Sequence, residues 1–175
     1  EQCPRRTEEQ IRKECPWATT GRKDLRKRNV VTSLELESSR MEVINHELQA
    51  RYREIEKNET RWEEINVEGA DYLIVAFGTI ARICAKAQEM AAEQGIKVGI
   101  IRPITLWPFP TEAINRAAQG KKGILCVELN AGQMIEDVRL AVHDAIPVEH
   151  FGRLGGIIPS PDEVLDALNE KIIKK

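Results

Sequence analysis

Aromatic side chains are scarce in this chain, at 5% of 175 residues, and the formal net charge is only −2. Neither the stacking platforms nor the basic field that nucleic acids require is therefore at hand. Long apolar runs are missing as well. Tyr72 to Phe77 and Val98 to Ile101 fall far short of the roughly 20 residues that cross a bilayer. The cysteines, Cys3, Cys15, Cys84 and Cys126, form no CxxC pair of the kind used by zinc and iron–sulfur sites. Cys84 falls in a helical pattern and Cys126 in an apolar strand, where cysteine acts as a small buried hydrophobe, and reduced thiols fit a cytoplasmic protein. A dinucleotide site would want GxGxxG after its first strand, but only Gly78 stands there, and a P-loop is equally absent.

What remains is a globular composition, 42% hydrophobic and 31% charged, long enough for one domain and an extension. The chain opens on Glu1 with no charged-then-apolar leader after it, so a further portion is expected to precede it. Residues 1 to 29 are polar and basic, with a short helix expected after Thr7, whose hydroxyl can cap it with Gln10 in reply. Within them Asp24 interrupts the run Arg22, Lys23, Arg26, Lys27 and Arg28, and a solvated linker fits better than a phosphate-holding patch. Val30 to Leu34 reads as a first edge strand. From Ser39 onward Met41, Ile44, Leu48, Tyr52 and Ile55 recur at helical spacing, and Trp62 continues the stripe. This helix is either a connector lying on the domain or an arm against a partner. The lead-in is accordingly set at residues 1–66 and the main domain at 67–175.

After Gly69 strands and helices alternate. Strands are expected at Asp71–Phe77, Ile96–Arg102, Gly123–Leu129 and Val148–Phe151. Helices are expected at Thr79–Glu93, after a cap at Thr111, at Gln133–Ala145, and from Pro161 behind a Ser160 cap. Strands that read as continuous apolar runs between helices imply a three-layer α/β/α domain with a mostly parallel sheet. Ligands of such sheets lie beyond the carboxyl ends of the strands. The candidate residues there are Gly78 and Thr79, Arg102 and Pro103, and Glu128, Asn130, Gly132 and Gln133. The Gly132 turn opens a helix, a place whose amides favour anions, although a glycine there also serves geometry alone. His46, His143 and His150 have no nucleophile in an elbow context and read as surface or packing residues.

Three strings then narrow the field: VGIIRPITLWPFP at 98–110, VELNAGQMIEDVRLAV at 127–142 and GRLGGIIPSPDEVLDAL at 152–168. With PWATTG at 16–21 and NVVTSLELE at 29–37, they resemble the C-terminal part of the alpha subunit of 2-oxoacid:ferredoxin oxidoreductases, most of all the branched-chain, 2-oxoisovalerate group. The resemblance implies a transketolase C-terminal-domain-like fold, with five strands in the order 1-3-2-4-5 and strand 1 antiparallel. It implies a complete enzyme with thiamine diphosphate, magnesium and iron–sulfur clusters, which decarboxylates a 2-oxoacid oxidatively, passes the acyl group to coenzyme A and reduces ferredoxin. Beta, gamma and delta subunits are the implied partners. The resemblance also implies that the diphosphate and magnesium site lies on another subunit; no GDG motif of that site occurs here, and this fragment is expected to hold no cofactor or metal and to be structural and interface-forming. A different thiamine enzyme, such as transketolase or a dehydrogenase E1 beta subunit, and a free-standing interaction module are the alternatives.

Overall fold

The computed structural model describes residues 4–17 and 32–174. The chain divides into two compact units, Glu1–His46 and Glu47–Lys175. In the first, α1 (Glu8–Glu14) starts in a capping box: the Thr7 hydroxyl accepts from the Gln10 amide, and the Gln10 side chain accepts from the Thr7 amide. The expected basic linker lies outside the described residues. So do Val30 and Val31, and residues 32–37 carry no strand. Local bonds take up the backbone there instead, with Thr32 Oγ1 accepting from the Leu34 amide and Glu35 Oε1 from those of Leu36 and Glu37.

Helix α2 (Ser38–Glu59) follows the expected stripe, but none of its side chains is buried. Trp62 does not extend it. The chain leaves the helix at Glu59, and Trp62 opens β1 (Trp62–Ile65). This strand, not Val30–Leu34, is the antiparallel edge of the sheet, and it lies inside the stretch expected as lead-in. Its exposed Glu63 and Glu64 place charges along the open edge, which discourages pairing with stray strands.

The rest alternates as the apolar runs imply: β2 (Tyr72–Ala76), α3 (Gly78–Glu93), β3 (Val98–Pro103), α4 (Thr111–Ala118), β4 (Gly123–Glu128), α5 (Met134–Val142), β5 (Val148–Gly152) and α6 (Pro161–Leu168). A last wider turn, Asn169–Ile173, closes with the Lys174 amide on the Asn169 carbonyl. The five strands stand in the order β1-β3-β2-β4-β5, with β1 antiparallel and the others parallel. Successive side chains point to opposite faces. Ile74, Ile100, Leu125 and Val127 therefore pack under α3 and α6, while Leu73, Val75, Ile101, Ile124 and Cys126 pack under α4 and α5. With both faces covered, alternation in burial vanishes and the strands become continuous apolar runs. Each of these fully buried aliphatics contributes about 1.5–3 kcal/mol.

Two boundaries differ from expectation for backbone reasons. Pro110, not Thr111, occupies the cap position of α4 and supplies no side-chain bond. Helix α5 stops at Val142 because His143 and Asp144 both take φ 52°, a left-handed conformation that ends a helix. Ser160 caps α6 as expected, in a reciprocal box with Glu163.

Candidate functional site

Parallel pairing of β3, β2, β4 and β5 sends their carboxyl ends to one edge of the sheet, with the start of antiparallel β1 beside them: Trp62 stands opposite Pro103. All eight candidate residues lie along this edge, yet they do not form one cluster. Gly78 takes φ +63° to turn from β2 into α3, and Gly78 and Thr79 are exposed. Arg102 is committed sideways to β1, its guanidinium donating to Glu63 at 2.9 Å, while its Nε is buried without a partner.

The β4–α5 turn brings the other four together. Glu128 ends β4 fully buried. Its carboxylate curls under the first turn of α5 and accepts from the amides of Gln133 at 3.2 Å, Met134 at 2.8 Å and Ile135 at 3.1 Å. Asn130 Oδ1 accepts from the amides of Gly132 at 2.8 Å and Gln133 at 3.1 Å. The amides that an incoming phosphate would need are thus filled by the chain's own side chains. Burial pushes the Glu128 carboxyl up, but the amides of Met134, Ile135 and Gln133 and the Asn130 side chain outweigh it and hold it below the usual carboxylate range. It is therefore an anion at neutral pH, and the turn fits no diphosphate. Gly132, at φ +103°, lets the backbone fold tightly enough for this arrangement. The Gln133 side chain alone of this group remains exposed.

Two participants escaped the sequence reading. His150 on β5 places Nε2, buried and without a hydrogen-bond partner, 3.8 Å from Glu128 Oε1. Gly152 gives that imidazole its room, since a Cβ there would collide with the Asn130 carbonyl and the His150 ring. The signal for both was position, at the end of β5 beside the turn, and only the strand pairing reveals it.

The loops beyond the strands are apolar and exposed. Ile104, Leu106 and Trp107 follow β3, Leu129 follows β4, and Leu154, Ile157 and Ile158 follow β5. Tyr52 on α2 stacks edge-on against Trp107 at 5.5 Å.

Among the described residues the cysteines fit no cluster. Cys84 and Cys126 are buried in separate core layers. Burial pushes the Cys84 thiol up to about 12, and burial followed by the Glu128 charge raises that of Cys126 further, so neither offers the thiolate that iron or zinc binds. Among the described residues no group of three or more His, Cys, Asp and Glu side chains is placed to hold a metal ion, and no helix is long and apolar enough to cross a membrane.

Residues 70–164 match the family model of the pyruvate:ferredoxin oxidoreductase core domain II. The ketoisovalerate oxidoreductase subunit VorB of Methanothermobacter thermautotrophicus is 40% identical over 159 residues, which is 91% of this chain and 45% of that relative. The 2-oxoglutarate synthase subunit KorA of Methanothermobacter marburgensis is 36% identical over 101 residues, 58% of this chain and 27% of its own length. The chain thus spans about half the length of the VorB relative it matches. In fold it is similar to the 2-oxoglutarate:ferredoxin oxidoreductase from Magnetococcus marinus, solved with 2-oxoglutarate, coenzyme A and succinyl-CoA bound. That match has a TM-score of 0.70 at 20% identity and covers 88% of this chain and 28% of that one. A split-gene transketolase in an inactive beta4 tetramer follows at 0.55 and 20%, covering 65% of this chain and 41% of that one.

Proposed function

The chain belongs to the pyruvate:ferredoxin oxidoreductase core domain II family, and from that premise we propose that it is the non-catalytic, contact-forming domain of the alpha subunit of a thiamine-diphosphate-dependent 2-oxoacid:ferredoxin oxidoreductase. The complete enzyme takes a branched-chain 2-oxoacid, coenzyme A and ferredoxin and works in the cytoplasm. Its thiamine diphosphate, magnesium and iron–sulfur clusters sit on other parts of the assembly of alpha, beta, gamma and delta subunits. Thiamine diphosphate supplies the carbanion chemistry, and protein groups orient and shield it.

The observation that carries this reading is the buried Glu128 carboxylate. It occupies the helix start where such a fold would otherwise receive an anionic cofactor, and thereby locks the β4–α5 turn as scaffold. Around that locked turn, the exposed aliphatic and indole side chains offer surface for other chains rather than groups for chemistry.

Two measurements test it. Titration calorimetry of the isolated chain with thiamine diphosphate and magnesium should show no saturable binding, and micromolar binding would overturn the division of labour. Full-length subunits assembled with their partners should reduce ferredoxin when given 2-oxoisovalerate and coenzyme A. Turnover with 2-oxoglutarate but not with 2-oxoisovalerate would reassign the substrate.

A further inference from the structure

The Glu128 carboxylate is held unevenly. Oε2 accepts two amides, from Gln133 at 3.2 Å and Met134 at 2.8 Å, whereas Oε1 accepts one, from Ile135 at 3.1 Å, and the weakly donating Cys126 thiol at 3.5 Å. His150 Nε2 lies 3.8 Å from that same Oε1, buried and with no hydrogen-bond partner among the described residues. The gap is too long for a hydrogen bond. Glycines flank the ring, an added Cβ at Gly132 lying 3.6 Å from its Cδ2 and one at Gly152 colliding with it. The side chain is 26% exposed, so solvent protons reach it.

The other charged groups around the ring are committed elsewhere. Cys126, opposite His150 in the sheet register, is kept a neutral thiol by burial and then by the Glu128 charge. On α5, Arg139 donates to the Val148 carbonyl at 3.1 Å, and Glu136 and Asp137 are exposed in the first turn. On β5 itself Glu149 falls on the opposite face, and just beyond the strand Arg153 pairs with Glu163 at 3.1 Å. Despite its burial, Glu128 is held below the usual carboxylate range by the Met134, Ile135 and Gln133 amides and by Asn130, and so stays an anion. A bare Nε2 would turn its lone pair toward that anion. The neutral ring is better placed with its proton on Nε2, leaving Nδ1 to take up a second.

The corner also reaches the next loop. The Arg153 amide donates to the Glu128 carbonyl at 3.3 Å, so the first residue after β5 hangs on the residue whose side chain faces His150. We propose that His150 and Glu128 form a proton-operated latch: when the imidazole takes up its second proton, Nε2–H closes on the Glu128 carboxylate and pins the start of the β5–α6 loop to the β4–α5 turn. Imidazole is the side chain whose ordinary charge change falls between about pH 5 and pH 8. The latch is therefore shut on the acid side of that titration and released as pH rises through it. It is a property of the chain itself and stands apart from the contact-forming reading.

Imidazole nitrogen NMR and amide hydrogen exchange on the chain test it. At about pH 8 the neutral His150 ring should carry its proton on Nε2. Protection of the Arg153 amide should rise about fivefold or more between about pH 8 and about pH 5.5. His150→Gln, which keeps a neutral donor, should abolish the rise, while His46→Gln and His143→Asn should retain it. A flat wild-type profile would overturn the latch, as would a rise that survives in His150→Gln or disappears with either other histidine. A neutral ring with its proton on Nδ1 would overturn it as well. Should His150→Gln fail to fold, the wild-type profile and tautomer decide the matter.

Discussion

The two ends of one sheet are built on opposite plans. At the amino end, side chains hold backbone. Lys121 donates to the carbonyls of Val67 and Ala70, both at 2.9 Å, Gln88 donates from the interior to Val98 O at 2.6 Å, and Lys122 pairs with Asp71 at 2.9 Å. None of the large exposed apolar side chains among the described residues falls in the amino-end loops 66–71, 94–97, 119–122 and 143–147. At the carboxyl end the same economy of charge holds, through Glu128 and the two Arg–Glu pairs, but aliphatic and indole side chains are left outside. One end is finished within the chain and the other is not. An α/β sheet can thus have the anion-holding amides at its carboxyl edge occupied by the fold itself.

The largest effect should come from opening the locked turn. Glu128→Ala strips three amides of their buried acceptor and should cost about 3 kcal/mol in a denaturant melt. The pH dependence follows from the direction of its shift. The folded carboxyl lies below its ordinary 4.5, so its stabilisation is complete above that value and is lost as pH falls through the folded one. Wild type should therefore weaken below about pH 4.5 by more than Glu128→Ala does. Equal acid profiles would show that the carboxylate is not what holds the turn.

At the other end, Lys121→Met should cost about 1.5 kcal/mol by freeing two carbonyls, with assembly unchanged. A loss of assembly there would erase the contrast between the ends. Gly132→Ala, forced to φ +103° with its Cβ 3.3 Å from Ile135 Cγ2, should lower stability by about 1 kcal/mol. Smallest in stability is Gln133→Ala, an exposed side chain whose backbone bonds survive the change. Its melting temperature should stay put while turnover or assembly of the complete enzyme falls. Wild-type activity and association in that variant would return Gln133 to scaffold.

Much of this architecture could be read from local pattern. The runs of β2, β3 and β4 are continuous because both faces are covered, and Ser160 and Thr7 announce their helices by short-range bonds. The edge strand escaped notice because Trp62 falls in step with the α2 stripe, and only its pairing with Pro103, far along the chain, makes it a strand. The β4–α5 turn was visible from Asn130 and Gly132. What Glu128 does there was not, since an acidic residue at a strand end looks the same whether it faces a ligand or curls back under the next helix.

The contrast between the two ends is tested most directly by hydrogen exchange on the isolated chain and on the full-length subunit in the assembled enzyme. Amides of Ile104 to Phe109 and of Gly152 to Ile158 should gain protection on assembly, while those of 66–71 and 94–97 exchange as before. Unchanged exchange in both carboxyl-edge loops, or protection gained at the amino end instead, would contradict the account.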